Sequence, residues 1–360
     1  MWNLGKASAS LGLALVIRRP VVCGLPDSIM IEPISLCNLR CPLCPIGARE
    51  LKRPLGTMTV ENFRRILDNV GPQLRTLALW NQGEPTLCEE LPEMIRIAHD
   101  RGIFTTTSTN GTLLLRENLT DRLIESGLDE LIVSVDGISQ ETYEHYRVGG
   151  QLSNVVSGIR ALRKRRDELR RRKPRIVLQW LPMKHNEREI PHLRRTAAEW
   201  GADTVEIKTA QVYTSDQAEE YLPDARELRR YEKRGQKWET RRRYQSCRRL
   251  WFSTVIDWNG TVVACCFDKD EDYPMGNALR EDFRSIWRGR TYNALRTKLL
   301  REGRALEMCR NCTEGLKTFY LPLRKIESLR AATDEGVSAL EEPPVKVGGL
   351  ADADARSGRN

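Results

Sequence analysis

Residues Ser35 to Gly47 read SLCNLRCPLCPIG and place Cys37, Cys41 and Cys44 within eight residues. Three thiolates on one tight loop can hold three corners of a 4Fe–4S cube, because such clusters are bound by closely spaced cysteines. Zinc asks for a different set: four ligands at a structural site, usually with a Cys-x-x-Cys pair and a distant partner. A trio spaced by three residues and then two fits neither zinc habit. A fourth iron without a protein ligand would be a place for a chelating small molecule. A structural metal knuckle or a set of buried thiols is the plain alternative.

A second set follows later. Twelve residues separate Cys247 from Gly260, four separate that glycine from Cys265, and Cys309-x-x-Cys312 closes the series. On spacing alone this set suits a four-cysteine zinc ribbon as well as an iron–sulfur cluster. Cys266 adjoins Cys265 and could exchange with it, while Cys23 and Cys88 read as buried thiols. No convincing export signal or apolar span of ~18 residues is present. Ten cysteines in an unexported chain should be reduced, which points to the cytoplasm and to metal or catalysis rather than disulfides.

The elements that would position these residues alternate. Apolar, β-branched runs lie at Ser28–Glu32, Leu74–Trp80, Phe104–Thr109, Glu130–Asp136, Ile176–Met183 and Thr204–Lys208. Amphipathic helical stretches separate them: Val60–Val70, Glu89–Arg101, Arg116–Ser126, Leu152–Arg172 and Glu187–Trp200. The alternation predicts an α/β fold with a parallel sheet, and six units allow an open partial barrel. Functional groups should then follow the strands at one face. The cysteine trio follows the first run, Gly83-Glu84-Pro85 the second, Ser108-Thr109-Asn110-Gly111 ends the third, and Ser134-Val135-Asp136-Gly137 ends the fourth.

In that order the motifs resemble the radical S-adenosylmethionine (SAM) superfamily, whose signature is Cys-x-x-x-Cys-x-x-Cys after the first strand of a partial barrel. The resemblance implies a partial (β/α)6 TIM-like barrel with a small Cys-rich C-terminal domain. It makes Cys37, Cys41 and Cys44 the ligands of a SAM-binding 4Fe–4S cluster and sets Leu43 near the adenine. Gly83, Glu84 and Pro85 match the segment that binds the methionine amino group, and Ser108 and Asn110 the ribose side. Ser134 and Asp136 fall at the polar fourth-strand positions, with Arg147 a carboxylate contact. The later set resembles the SPASM/twitch extension and implies an auxiliary 4Fe–4S cluster on Cys247, Cys265, Cys309 and Cys312. No cysteine follows Cys312, so one fully ligated auxiliary cluster with an electron-transfer role is expected.

The chain divides on this reading into an N-terminal docking segment (1–24), the barrel (25–240), the auxiliary domain (241–323) and a disordered tail (324–360). The implied activity is reductive cleavage of SAM to a 5′-deoxyadenosyl radical that takes a hydrogen from a substrate. A metabolite or carbohydrate-like substrate, oxidised or epimerised, is expected, because the N-terminus lacks room for a leader-binding module. A peptide- or protein-modifying maturase and a tRNA-modifying enzyme are the other enzyme readings. A zinc or iron–sulfur nucleic-acid-binding protein is the non-enzyme alternative. Cys266, Tyr213 and Tyr320 are hydrogen-donor candidates by type, and Lys184, His185 and Lys208 are base candidates. Flavodoxin or ferredoxin would supply electrons. The net charge of +9 concentrates in two runs, Arg160–Arg175 and Arg226–Arg249, both read as solvated helix faces. No aromatic residues alternate with these charges, so nucleic acid is not expected as a partner.

Overall fold

In the computed structural model, residues 2–241, 247–303, 306–309, 312 and 319–322 are described. The first element is α1 (Trp2–Ile17). It is fastened at both ends: the Asn3 side chain exchanges hydrogen bonds with the Leu25 backbone, and Arg18 donates to the Leu300 carbonyl (2.8 Å). The tail expected to be disordered lies outside the described residues.

Six parallel strands follow in sequence order: β1 (Ser28–Ile31), β2 (Thr76–Ala78), β3 (Phe104–Thr109), β4 (Glu130–Ser134), β5 (Arg175–Trp180) and β6 (Thr204–Ile207). Between them run α2 (Val60–Val70), α3 (Leu91–Asp100), α4 (Leu119–Glu125), α5 (Gln140–Tyr146), α6 (Leu152–Glu168) and α7 (Ile190–Trp200). Leu131, Ile132 and Val133 of β4 are all buried, as in a strand covered on both faces. In α2 the buried positions are Phe63, Ile66, Leu67 and Val70, a single apolar stripe. Its start is set by Thr59, whose hydroxyl accepts from the Asn62 N–H (3.2 Å). α7 stops at Gly201, whose φ of +98° favours glycine.

Beyond β6 come α8 (Ser215–Tyr221) and the antiparallel hairpin β7 (Tyr231–Arg234) and β8 (Lys237–Thr240). The second basic run is therefore not a helix. Gly235 falls in its middle at φ +59° and makes a two-residue Gly-x turn, where a helix would lose about 1 kcal/mol. Part of that run, 242–246, lies outside the described residues. The first run does sit on α6, and its arginines face internal acids: Arg163 and Arg166 pair with Asp203, and Arg165 with Asp121.

The Cys-rich segment contains α9 (Arg249–Phe252), β9 (Ser253–Ile256), β10 (Thr261–Val263), β11 (Pro274–Asn277), α10 (Phe283–Arg288) and α11 (Arg290–Glu302). At thirteen residues, α11 is the longest of these helices. β9 lies parallel to β1, with Ser253 opposite Ser28, and β10 and β11 continue the sheet antiparallel. At the other edge β12 (Phe319–Pro322) pairs antiparallel with β6. Among the described residues one ten-stranded sheet therefore runs β11-β10-β9-β1-β2-β3-β4-β5-β6-β12. The C-terminal ends of β9 and β1 to β6 open on one face, where the chemistry-bearing residues fall.

Candidate active site

The loop after β1 carries the first three cysteines. Its turn closes through the Cys44 N–H to the Cys41 carbonyl (3.1 Å), and Leu39 N–H donates to the Cys37 sulfur (3.4 Å). A Cβ on Gly47 would sit 2.5 Å from the Cys41 backbone nitrogen and oxygen, so only glycine lets the loop fold back this closely. Cys41 and Leu43 are buried with Leu39, Tyr146, Met183 and Val212 in an apolar cluster separate from the main core, and Cys37 and Cys44 pack against it. Within this cluster Cys41 is buried, while Cys37 and Cys44 are half-buried at its edge.

The neighbouring strand ends are tied to that loop. Gly83, at φ +79°, lets the chain after β2 approach so closely that a Cβ would meet the Ile34 carbonyl oxygen at 2.4 Å. The Glu84 N–H donates to the Leu36 carbonyl (2.7 Å). Pro85 is buried in the short turn that follows. Asn110, just past β3, donates from Nδ2 to Asn38 Oδ1 (2.8 Å) and lies 4.0 Å from the Cys37 sulfur. Ser108 is half-buried near the end of β3. Ser134 is buried, with its hydroxyl 3.5 Å from Gln179 Oε1.

Two of the expected contact residues also brace the strand ends. Glu84 Oε1 accepts from the Thr86 N–H (3.0 Å), the Thr86 hydroxyl (2.6 Å) and the Thr109 hydroxyl (2.7 Å), and Oε2 accepts from the Asn110 N–H (2.7 Å). Its carboxylate therefore joins the end of β2 to the end of β3. Asp136, fully buried at φ +63°, accepts from the Leu181 N–H (2.6 Å) and from Arg147 Nε (2.7 Å). Arg147 in turn reaches Cys41 Sγ at 3.8 Å. Burial pushes the Asp136 carboxyl up and Arg147 pulls it back down. Arg147 thus joins the Asp136 carboxylate to the cysteine loop.

Burial, reinforced by repulsion from Glu84, Cys41 and Cys44, pushes the Cys37 thiol up to about 12. Burial also raises Cys41 to about 11, although Arg147 opposes it. Without metal both are neutral thiols at pH 7, and iron binding must displace their protons. Among the described residues no three His, Cys, Asp or Glu side chains converge on one ion position. A cube asks instead for one thiolate per iron.

All ten cysteines lie among the described residues and none is in a disulfide. The Cys309-x-x-Cys312 turn closes through the Cys312 N–H to the Cys309 carbonyl (3.2 Å), and both residues are buried. Cys247 and Cys265 both act on the Tyr292 hydroxyl, and Cys266 and Cys312 both act on Arg230. Within the Cys265–Cys266 pair the more acidic thiol is Cys266. A hydrogen bond from Cys265, with Arg249 and Lys269 nearby, lowers it to about 6. The spacing to Gly260 favours Cys265.

Tyr213 and Cys266, donor candidates by type alone, share a neighbour that the sequence reading passed over. Lys269 hydrogen-bonds the Tyr213 hydroxyl and acts on the Cys266 sulfur. The available signal was its place in the charged stretch right after the Cys pair, Phe267-Asp268-Lys269-Asp270. Two base candidates are engaged elsewhere: Lys184 donates to the Glu219 carbonyl (3.3 Å), and Lys208 pairs with Glu206 (3.0 Å). Cys88 is buried as expected, but Cys23 is exposed. Tyr320 lies in β12 opposite Glu206.

Comparison with known families now bears on this geometry. Residues 31–193 match the radical SAM superfamily, and residues 247–313 match SPASM, an iron–sulfur cluster-binding domain. The chain belongs to the radical SAM superfamily. Its relatives include a tungsten-containing aldehyde ferredoxin oxidoreductase cofactor-modifying protein of Pyrococcus furiosus, 30% identical over 54% of this chain and 55% of that protein. A PqqA peptide cyclase of Granulibacter bethesdensis is 28% identical over 52% and 48%. The match thus spans about half the length of these curated relatives. Among solved structures, SuiB of Streptococcus suis bound to S-adenosylmethionine superposes with a TM-score of 0.59 at 15% identity, over 87% of this chain and 77% of SuiB. AdoMet-bound anSMEcpe gives 0.57 at 17%, over 81% and 89%. These likenesses establish the fold.

As a radical SAM enzyme with a SPASM domain, the chain uses a 4Fe–4S cluster with SAM and auxiliary iron–sulfur. The donor set fits the first requirement: three thiols share one apolar loop with the Arg147 guanidinium beside them and no carboxylate among the loop cysteines. Among the described residues no helix is long and apolar enough to cross a membrane.

His185, the remaining base candidate, stacks on His145 with ring centroids 4.2 Å apart. Burial first, then the His145 charge, lowers it to about 4. Because its folded value lies below the unfolded ~6.5, the neutral ring contributes stability above that pH, and this contribution is lost as pH falls through about 4. His185→Gln should flatten the stability profile between pH 6.5 and 4 in urea titrations. An equally steep acid loss in the variant would refute the assignment.

Proposed function

We propose that this radical SAM enzyme removes a hydrogen atom from a peptide or protein side chain in a net two-electron oxidation, the work of a cytoplasmic oxidoreductase or maturase. The SAM-bound cluster, once reduced by a low-potential donor such as flavodoxin or ferredoxin, supplies a 5′-deoxyadenosyl radical. The substrate radical left by hydrogen transfer then gives up one electron, to the auxiliary cluster, and one proton.

The carrying observation is the strap from Cys265 to Tyr273. Arg53 Nε donates to the Lys269 carbonyl (2.8 Å), and the Lys52 N–H donates to Asp270 Oδ1 (2.7 Å). Residues 52 and 53 follow the first cysteine loop, so the strap after Cys265 and Cys266 is hydrogen-bonded to the segment that follows that loop. The apolar cluster of Leu39, Leu43, Tyr146 and Met183 packs on the cysteine loop, and an apolar wall beside the first cluster would protect a reactive radical from side reactions. Cys37, Cys41 and Cys44 would hold the first cluster, and Cys247, Cys265, Cys309 and Cys312 the second. Gly83, Asn110 and Ser134 present groups to SAM, while Glu84, Asp136 and Arg147 keep those strand ends in register.

We favour a peptide over the metabolite or carbohydrate-like substrate because PqqA peptide cyclases recur among the relatives. The test combines two measurements. Cys309→Ala with Cys312→Ala should keep SAM cleavage to 5′-deoxyadenosine but lose the oxidised product; unchanged product would make the second centre structural. Deuterium should enter 5′-deoxyadenosine from labelled peptides, and transfer only from labelled polyols would restore the carbohydrate reading.

A further inference from the structure

Helix α1 is built inside out. The side it turns to the body is made of small residues, with Ala7, Ser10 and Ala14 all buried. Gly24 passes so close to them that a Cβ there would sit 2.9 Å from the Ala7 nitrogen. The large apolar side chains are on the outside: Leu4, Leu13, Leu15, Val16 and Ile17 are between 41% and 79% exposed. They are five of the eleven exposed large hydrophobic residues among the described residues, so they form a patch rather than single surface leucines. A Cβ on Gly5 or Gly12 would meet nothing within 4 Å, so this outer side is uncovered.

A surface helix ordinarily carries its charges on the outer side. Here Lys6 is the only charged residue of α1, Arg18 and Arg19 follow at its end, and the first acidic residue of the chain is Asp27. A groove of about 710 Å³ beside Leu4, Leu11 and Leu15 is bordered by Arg248 and Arg249. The patch is therefore apolar and its rim cationic. At sixteen residues, about 24 Å long, the helix is too short for a ~30 Å hydrocarbon core. The Asn3 and Arg18 hydrogen bonds also hold it to the body at both ends. Such a helix can lie on a bilayer but not cross it.

We propose that α1 docks this protein on an anionic phospholipid surface. Leu13, Val16 and Ile17 enter the boundary between headgroups and acyl chains, while Lys6 and Arg19 meet the phosphates. The charges select this occupant over a second copy of the chain. Two α1 helices laid together would set lysine and arginine against their own kind with no acid to offset them.

The experiment is flotation of the full-length protein with phosphatidylglycerol vesicles and with phosphatidylcholine vesicles, at low and at high salt. Wild type should float with the anionic vesicles only, and high salt should release it. Lys6→Gln with Arg19→Gln should weaken binding about 25-fold, since each cation near an anionic surface is worth about fivefold. Leu13→Gln with Val16→Gln should weaken it roughly tenfold or more, and Val16→Trp should strengthen it. No flotation of wild type, equal flotation with both lipids, or unchanged flotation of the Leu13→Gln, Val16→Gln variant would each overturn the proposal. So would weaker binding by a folded Val16→Trp variant, which keeps the apolar face. A dimer in light scattering that the double glutamine variant abolishes, without vesicle binding, would overturn it in favour of a second copy.

Discussion

Cys41→Ala is expected to reduce 5′-deoxyadenosine formation from SAM and dithionite to background while leaving the protein folded. The thiol is 5% exposed, and its sulfur accepts from Arg147 at 3.8 Å. The hydrogen bond that shapes the loop uses the Cys41 carbonyl, which alanine retains. The structural cost of losing one sulfur is about 1 kcal/mol, typical of a point substitution. The chemical cost is far larger. Removing a group that merely orients a metal ligand lowers affinity or activity about 10- to 100-fold, and removing the ligand itself should exceed that. Three readouts separate the effects: thermal denaturation for the fold, iron content for the cluster, and chromatography of 5′-deoxyadenosine for cleavage. Persistent cleavage with full iron would refute the ligand assignment.

The second large effect is on stability. Arg53→Met should cost about 3–5 kcal/mol, the range for breaking a buried ion pair by removing one partner. The Arg53 side chain is 2% exposed, and Glu32 and Asp257 are fully buried. The guanidinium lies 2.6 Å from Glu32 and 3.7 Å from Asp257, with Glu271 at 3.8 Å. Glu32 follows β1 and Asp257 follows β9, so this one cation bridges the two strands where the cysteine-rich segment joins the barrel sheet.

Burial raises the carboxyls of Glu32 and Asp257 above their ordinary values even with Arg53 present. A raised carboxylic acid contributes stability that is fully present below the unfolded value, about 4, and is lost as pH rises through the folded one. Removing Arg53 pushes both carboxyls further up, so the deficit of the variant should be small in acid and grow toward neutrality. Urea titrations at pH 5 and pH 7.5 would show this. Adding Glu32→Gln and Asp257→Asn should recover most of the loss. A deficit under 1 kcal/mol at pH 7.5, or no recovery in the triple variant, would show that the network is not what holds the joint.

Sequence by itself determined the parts of this protein that depend on near neighbours. The six strands and most barrel helices are legible because apolar periodicity and caps act within about one turn; α2 was expected at Val60–Val70 and is found there. The Cys37, Cys41 and Cys44 spacing is legible for the same reason, since a short loop must bring its own thiols together. The helix α5 and the β7–β8 hairpin were missed where charge hid the local signal, although Gly235 was available to find the turn.

Tertiary structure alone decided which polar side chains face inward. The sequence puts Glu84 and Asp136 at strand ends, and the fold ties those carboxylates to partners 26 and 45 residues away. The same holds for the pairing of β9 with β1, for Arg53 between Glu32 and Asp257, and for the Lys269 carbonyl, bonded across 216 residues. A carboxylate or ammonium has the same composition whether it meets solvent, substrate or a distant backbone N–H. Which of these it meets is set by strand register and long-range packing, and no local pattern encodes that.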